Sequence, residues 1–309
     1  MNHIPVLLPS VLDSFDLPHR KVIIDATLGL GGHAEGIFRS SEFAGSVIGV
    51  DQDASHLSFA QNRLAAFSDR FQSYQKNFSE LRDFCEFHDL SFDGILFDLG
   101  IASPHLDFPE RGFSFQASGP LDMRMDPQQN LTAQTILDEW PENELVRIFS
   151  TFGEEPLAQP IARQIVQSRT DSPLTTTTQL AELVSRTYRS FYRKASVKHP
   201  ATKVFQALRI AVNRELEVLE TALKAAVDLI QPGGRILVIS YHSLEDRLVK
   251  QVFKDAAHPC VCPPKLPVCA CGRKPLVRII TKKPIEPSEE EIKKNARARS
   301  AKMRVVERI

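Results

Sequence analysis

The sequence predicts an α/β fold, a mostly parallel, Rossmann-like sheet interrupted by a helical insertion domain. Three observations point to it. Short β-branched runs alternate with helix-length segments through residue 98, a glycine-rich turn follows the first run, and the strand pattern then gives way to purely helical periodicity before it resumes at residue 235. Successive strands separated by helices imply parallel pairing with right-handed crossovers.

The first strand is read at Lys21-Val22-Ile23-Ile24-Asp25, the second at Ser46-Val47-Ile48-Gly49-Val50-Asp51 and the third at Phe92-Asp93-Gly94-Ile95-Leu96-Phe97-Asp98. Between them, Gly32 to Ser41 and Ala54 to Phe67 have helix length and spacing. From Ile101 to about Asn130 the chain is rich in Gly, Pro, Asp and Ser. That is too long for an ordinary connection and marks a functional segment. Helices are then expected at Ala133–Trp140, Glu142–Phe152, Leu157–Ser168 and Thr178–Phe191. Leu208, Val212, Leu216, Leu219, Leu223, Val227 and Ile230, spaced by three and four, predict one long amphipathic helix. Gln231-Pro232-Gly233-Gly234 ends it, and Arg235–Ser240 returns to the sheet. The expected organisation is a discontinuous ligand-binding domain, 1–110 with 200–309, carrying a helical insertion at 111–199. No internal repeat is visible.

Composition narrows the class. The 309 residues are 42% hydrophobic and 25% charged, as in a globular protein with a core. No apolar run approaches the ~18 residues of a spanning helix, so no membrane partner is expected. Met1-Asn2-His3-Ile4-Pro5 lacks the basic and apolar regions of a signal peptide, so a cytoplasmic location is expected. Formal net charge is zero, but from Cys260 onward thirteen Lys and Arg face five Glu. That tail is either an electrostatic footprint for phosphate or a solvated face. Four of the five cysteines, Cys260, Cys262, Cys269 and Cys271, are crowded together, which excludes a spread-out disulfide framework. Four thiolates suit tetrahedral zinc, but C-x-C is tighter than the usual zinc spacing. Zinc and free thiols both stay open, and no metal ligand is assigned.

Asp25-Ala26-Thr27-Leu28-Gly29-Leu30-Gly31-Gly32-His33 lies where a strand turns into a helix. Glycine admits close backbone approach there, and the helix N-terminus offers unpaired N–H groups. Gly29-x-Gly31-x-x-Ala34 with Asp51 seventeen residues on also matches a dinucleotide fingerprint, so a nicotinamide oxidoreductase is a rival reading. Two features favour S-adenosylmethionine. Asp25 precedes the glycines as D-x-T-x-G-x-G, close to the acidic motif of enzymes that use that cofactor, whereas a carboxylate beside a pyrophosphate would meet like charge. Three strands also end in an acid, at Asp25, Asp51 and Asp98, and carboxyl strand ends are where open α/β sheets bind ligands. Asp51 is placed on the adenosyl ribose and Phe78 in the adenine pocket; the alternatives are a helix cap for Asp51 and a core aromatic for Phe78.

The strings that follow carry a resemblance. Asp98-Leu99-Gly100-Ile101-Ala102-Ser103-Pro104-His105, Arg111-Gly112-Phe113-Ser114-Phe115, Gly119-Pro120-Leu121-Asp122-Met123-Arg124-Met125-Asp126 and His199-Pro200-Ala201-Thr202 closely resemble the bacterial 16S rRNA cytosine-N4-methyltransferases of the MraW/RsmH family. So do Phe205-Gln206-Ala207-Leu208-Arg209-Ile210, Ser240-Tyr241-His242-Ser243-Leu244-Glu245-Asp246-Arg247 and Ala296-Arg297-Ala298-Arg299-Ser300-Ala301. The likeness runs from His3-Ile4-Pro5-Val6-Leu7-Leu8 to a final segment read as a helix. It implies a class I methyltransferase fold and S-adenosyl-L-methionine bound by Gly31, Gly32, His33, Asp51, Phe78, Asp98 and His105. His105 stands where the family commonly has glutamine; both side chains donate one hydrogen bond and accept another. The resemblance further implies a decoding-centre cytosine of 16S rRNA, within the small ribosomal subunit, as substrate. No obligate protein partner is inferred.

Cytosine N4 is a weak nucleophile, because its lone pair is delocalised into the ring. Its methylation needs the amine held in line with the methyl group and an acceptor for its hydrogen. Asp98, before the irregular segment, is the candidate catalytic acceptor, with Ser103-Pro104 or a backbone carbonyl as alternatives. For RNA, Arg111, Arg124, Lys198, His199, Lys203 and Arg209 are candidate phosphate contacts. Phe113 and Phe115 either stack on bases or pack the insertion. His242 is expected on the cleft side, and Ser243-x-x-Asp246 reads as a helix start related to a capping box. A non-catalytic RNA-binding assembly factor with the same fold remains a third reading.

Overall fold

The computed structural model describes residues 4–99, 108–192, 199–263 and 270–309. The chain divides into two compact units, 1–100 with 216–309, and 101–215.

The first unit is built on a sheet whose described strands are β1 (Val22–Asp25), β2 (Ser46–Asp51), β3 (Phe71–Gln75), β4 (Gly94–Asp98), β5 (Arg235–Ser240), β6 (Val277–Ile279) and β7 (Lys302–Arg308). Their order is β3-β2-β1-β4-β5-β7-β6. β1 to β5 pair in parallel, and β7 runs antiparallel to both β5 and β6. This is the mostly parallel, Rossmann-like sheet that the sequence predicts. The order reverses between β1 and β4, so the crevice at their carboxyl ends is the switch point where such sheets take ligands.

The sheet is buried on both faces, which explains why its central strands read as unbroken apolar runs. Ile24, Ile48, Ile95, Phe97, Ile236 and Val238 enter one core. Their neighbours Ile23, Val47, Leu96, Leu237 and Ile239 enter the other. Helices α1 (Leu8–Phe15), α2 (Gly32–Arg39) and α3 (Ala54–Arg63) contribute to the second core; α4 (Leu81–Phe87) contributes to the first.

The second unit holds α5 (Ala133–Glu139), α6 (Glu142–Thr151), α7 (Ala158–Asp171), α8 (Thr177–Phe191) and α9 (Thr202–Asn213). Thr132 and Thr176 cap α5 and α8 by accepting the backbone N–H of Thr135 and Gln179. Leu145, Ile148, Phe149, Ile161, Leu180, Val184 and Leu208 are its fully buried centre. This unit is wider than the expected 111–199 because α9 buries Val204, Phe205, Ala207, Leu208, Ala211 and Val212 in the same core. Phe149 is 0% exposed. Phe149→Ala is expected to destabilise this unit by about 3–5 kcal/mol, read as helical circular dichroism lost at lower urea. An unchanged midpoint would mean that this core does not hold the unit together.

Two expectations are corrected. The single long helix is two, because Arg214 adopts a left-handed conformation (φ 50°) between α9 and α10 (Glu215–Leu229). Asn213 stabilises the break, donating to the carbonyls of Met123 and Arg209 and accepting from Met125 N–H, while Arg209 forms a two-pronged pair with Glu215 at 2.7 and 2.8 Å. The terminal segment is not a helix: Ala296–Ser300 makes a short 3₁₀ turn, then β7 inserts beside β5 and buries Met303, Val305 and Val306. Among the described residues no helix is long and apolar enough to cross a membrane.

Candidate functional site

Asp25, Asp51 and Asp98 each close a parallel strand, so their side chains gather at one edge of the sheet. The turn after β1 is laced to its neighbours there. Gly29 N–H donates to Asp51 Oδ2 at 2.8 Å, Thr27 N–H to Asp25 Oδ1 at 3.3 Å, and Asp98 N–H to the Thr27 hydroxyl at 2.7 Å. The turn requires glycine at Gly31, which has φ +75° and caps α2, and where a Cβ would lie 3.3 Å from Ala60 Cβ and Leu64 Cδ1. Gly32 opens α2 against Pro5. Both glycines thus sit where the first turn of a helix presents its N–H groups to the crevice.

Asp51 accepts from Asp53 N–H through Oδ1 at 2.8 Å. The cap of α3 is Asp53, which accepts from Ser55 N–H. The cap reading of Asp51 therefore passes to its neighbour, and Asp51 is left to order the glycine turn. Phe78 packs edge-on against Phe97, with ring centroids 5.8 Å apart. Together with Ala26, Val50, Asn77, Leu81 and Phe84 it lines a small cavity beside the end of β2.

His33 is 5% exposed; its Nε2 lies 2.9 Å from the Val6 carbonyl and its Nδ1 3.6 Å from Asp98 Oδ2. Nε2 therefore carries the hydrogen, an assignment that follows from its acceptor. The other oxygen of Asp98 accepts from the Tyr241 hydroxyl at 2.8 Å. Burial pushes the Tyr241 hydroxyl well above its usual range, and the neighbouring Asp98 carboxylate adds to the shift. Tyr241 stays a neutral donor. Its link to Asp98 joins residues 143 apart in sequence, so no local motif marks it.

Asp25 carries the sharpest electrostatic signal. It is 1% exposed, and Oδ2 is buried without a hydrogen-bond partner among the described residues. Burial raises its pKa to about 6, against the opposing pull of His33 and Thr27 N–H. A lone buried carboxylate oxygen beside a glycine turn is complementary to a cationic or hydrogen-bond-donating ligand group. The folded pKa exceeds the ordinary value of ~3.9, so the native chain binds the extra proton. Stability is then expected to fall as pH rises from about 4 to about 6. Asp25→Asn keeps the acceptor for Thr27 and is expected to remove that slope, stabilising the ligand-free chain at neutral pH by on the order of 1–3 kcal/mol. Urea midpoints between pH 4 and 8 check this; identical slopes for both proteins would contradict it.

Several candidates are used internally. Arg124 pairs with Asp122 at 2.8 Å and donates to the carbonyls of Pro127 and Gln129. Arg111 donates to the carbonyls of Arg124 and Met125, and Lys203 to that of Glu154. With Arg209 held by Glu215, the three arginines order the helical unit, while Lys203 is exposed beside its one carbonyl contact. Phe113 is 7% exposed in that core, and Phe115 stacks on His199 at 4.5 Å with Phe205 edge-on to it at 4.9 Å, so packing prevails over base stacking. The start of α11 (Ser243–Ala257) is capped by His242 with Glu245, not by Ser243 with Asp246; Asp246 instead holds Arg304 at 2.6 Å. His242 thus caps α11 just beyond the end of β5. In the basic tail, Arg273, Lys274, Lys282, Lys283, Lys293, Lys294, Arg297 and Arg299 are exposed. Gly100, Ser103, Pro104, His105 and Lys198 lie outside the described residues.

The whole chain, residues 1–309, matches the model of the MraW methylase family. It is 50% identical over 309 residues to ribosomal RNA small subunit methyltransferase H of Carboxydothermus hydrogenoformans, covering 100% of this chain and 98% of that protein. It is 47% identical to the protein of the same name from Oleidesulfovibrio alaskensis, covering 99% and 95%. Among solved structures, an rRNA methylase from Streptococcus thermophilus aligns with a TM-score of 0.40 and 10% identity over 98% of this chain and 93% of that one. The chain belongs to the MraW methylase family.

Proposed function

We propose that this member of the MraW methylase family transfers a methyl group from S-adenosyl-L-methionine to the N4 amine of a decoding-centre cytosine in 16S rRNA, acting in the cytoplasm on the small ribosomal subunit. The observation that carries the reading is the acidic crevice around the glycine turn. Its orphaned Asp25 oxygen suits the donor groups of the cofactor's amino-acid end, whereas the pyrophosphate of a dinucleotide would meet like charge at that carboxylate. The name printed for the relatives in Carboxydothermus and Oleidesulfovibrio supports a ribosomal RNA substrate.

In this reading Gly31 and Gly32 admit the cofactor against the backbone, with His33 beside them. Asp51 takes the ribose hydroxyls, and Phe78 lines the adenine side; His105 belongs to the same set by resemblance. Bound there, S-adenosylmethionine supplies the electrophilic methyl group. Asp98 accepts the hydrogen of the amine, and the Tyr241 hydroxyl at 2.8 Å fixes the carboxylate's orientation. Orientation of this kind can supply ~7–11 kcal/mol of the barrier in well-ordered systems. The helical unit selects the RNA, since the sheet carries only the generic part of the site.

The test uses labelled S-adenosylmethionine and small ribosomal subunits from cells lacking the enzyme, followed by digestion to nucleosides. N4-methylcytidine from a single position is the expected product. A different methylated nucleoside, or no transfer to subunits or free rRNA by chain that binds the cofactor, would overturn the reading.

A further inference from the structure

We infer that Cys260, Cys262 and Cys271 form a zinc site that staples the connection between α11 and β6. The three sulfurs lie within 4.8 Å of one another, although Cys271 is nine residues beyond Cys262 in the sequence. Cys260 and Cys271 Sγ are 3.9 Å apart. Two thiolates on one tetrahedral zinc, each at ~2.3 Å, are separated by about 3.8 Å, whereas a disulfide needs ~2.0 Å. Ala270 N–H points at Cys262 Sγ from 3.3 Å. A backbone donor of this kind stabilises thiolate charge and orients a metal ligand. The ligand set is all sulfur, which selects zinc over hard cations such as magnesium or calcium.

The chain needs such a staple there. The connection runs from His258 to Leu276, and none of its described residues belongs to a helix or strand; connections of more than roughly 12–15 residues are uncommon. Its described residues contribute nothing to the buried apolar set before Val277, and Val261 is 64% exposed. Its base is pinned by Leu276 N–H to the Ala256 carbonyl at 2.9 Å. A metal closing the loop supplies what burial does not. Because α11 runs back from the end of β5 and Leu276 accepts from Ile309 N–H, the staple sits at the edge of the sheet opposite the crevice. Its role is therefore structural, with each thiol giving up its proton on binding.

The full-length chain, purified under reducing conditions, is expected to retain about one zinc, measured by mass spectrometry of the digested protein. Cys262→Ser should weaken retention by more than the ~10–100-fold that follows loss of a supporting partner. Cys85→Ser, whose buried thiol lies in the sheet core, should retain the metal. Folding is controlled by adding cobalt to metal-stripped wild-type chain: a thiolate-to-cobalt absorption band with tetrahedral visible bands should appear and vanish with one equivalent of zinc. The inference is overturned by a wild-type chain that takes up neither metal, by a cobalt spectrum unchanged in Cys262→Ser, or by an iron–sulfur chromophore.

Discussion

Asp98→Asn is expected to slow methyl transfer by about 10²–10⁴-fold, the range for loss of a positioned proton acceptor. The substitution keeps the shape of the side chain, and Asn Oδ1 can still accept the Tyr241 hydroxyl that lies 2.8 Å from Asp98 Oδ1. What it removes is the negative charge facing both His33 Nδ1 and the crevice. The loss should therefore fall on kcat, while affinity for S-adenosylhomocysteine changes by only a few fold. Single-turnover rates and equilibrium titrations separate the two. A rate within about threefold of wild type would exclude Asp98 as the acceptor. A loss of affinity as large as the loss of rate would assign the carboxylate to cofactor binding alone.

Asp51→Ala is expected to weaken cofactor binding by about 2–4 kcal/mol, roughly 30- to 700-fold. The carboxylate holds the glycine turn by accepting Gly29 N–H through one oxygen and orders the chain after β2 by accepting Asp53 N–H through the other. Hydrogen bonds to a charged group contribute about 1.5–3 kcal/mol each, and removing both the turn's anchor and the ribose acceptor stays within the sum of two. Isothermal titration with S-adenosylhomocysteine measures it, with circular dichroism to establish that the sheet is intact. An unchanged dissociation constant in a folded variant would remove Asp51 from the site.

The parts of the fold legible in the sequence were those whose burial is written in composition. β1, β2, β4 and β5 are buried on both faces and read as β-branched runs. β3 escaped because Phe71-Gln72-Ser73-Tyr74-Gln75 is a half-exposed edge strand with no apolar run. β7 escaped because basic residues surround its short apolar stretch, so that it read as the end of a charged helix. The break at Arg214 was invisible because the three-and-four spacing continues across it; a left-handed non-glycine residue is a tertiary outcome, fixed here by Asn213 and the Arg209–Glu215 pair. In the site, acids at strand ends and the glycine turn were legible, being local. The lone oxygen of Asp25 and the Tyr241 contact were not, since both depend on neighbours distant in sequence. Cations such as Arg124 and Arg209 misled for the same reason, because their acidic and carbonyl partners appear only in the folded unit.

The central claim is that the acidic crevice at the ends of β1, β2 and β4 is a site for S-adenosylmethionine, although its glycine spacing also fits a dinucleotide. The most direct measurement is a calorimetric titration of the purified chain with S-adenosylmethionine, S-adenosylhomocysteine and NAD, each alone, near neutral pH. The account predicts one site filled by the first two and no heat of binding from NAD. Saturable binding of NAD, or no binding of either sulfur ligand by folded chain, would contradict it.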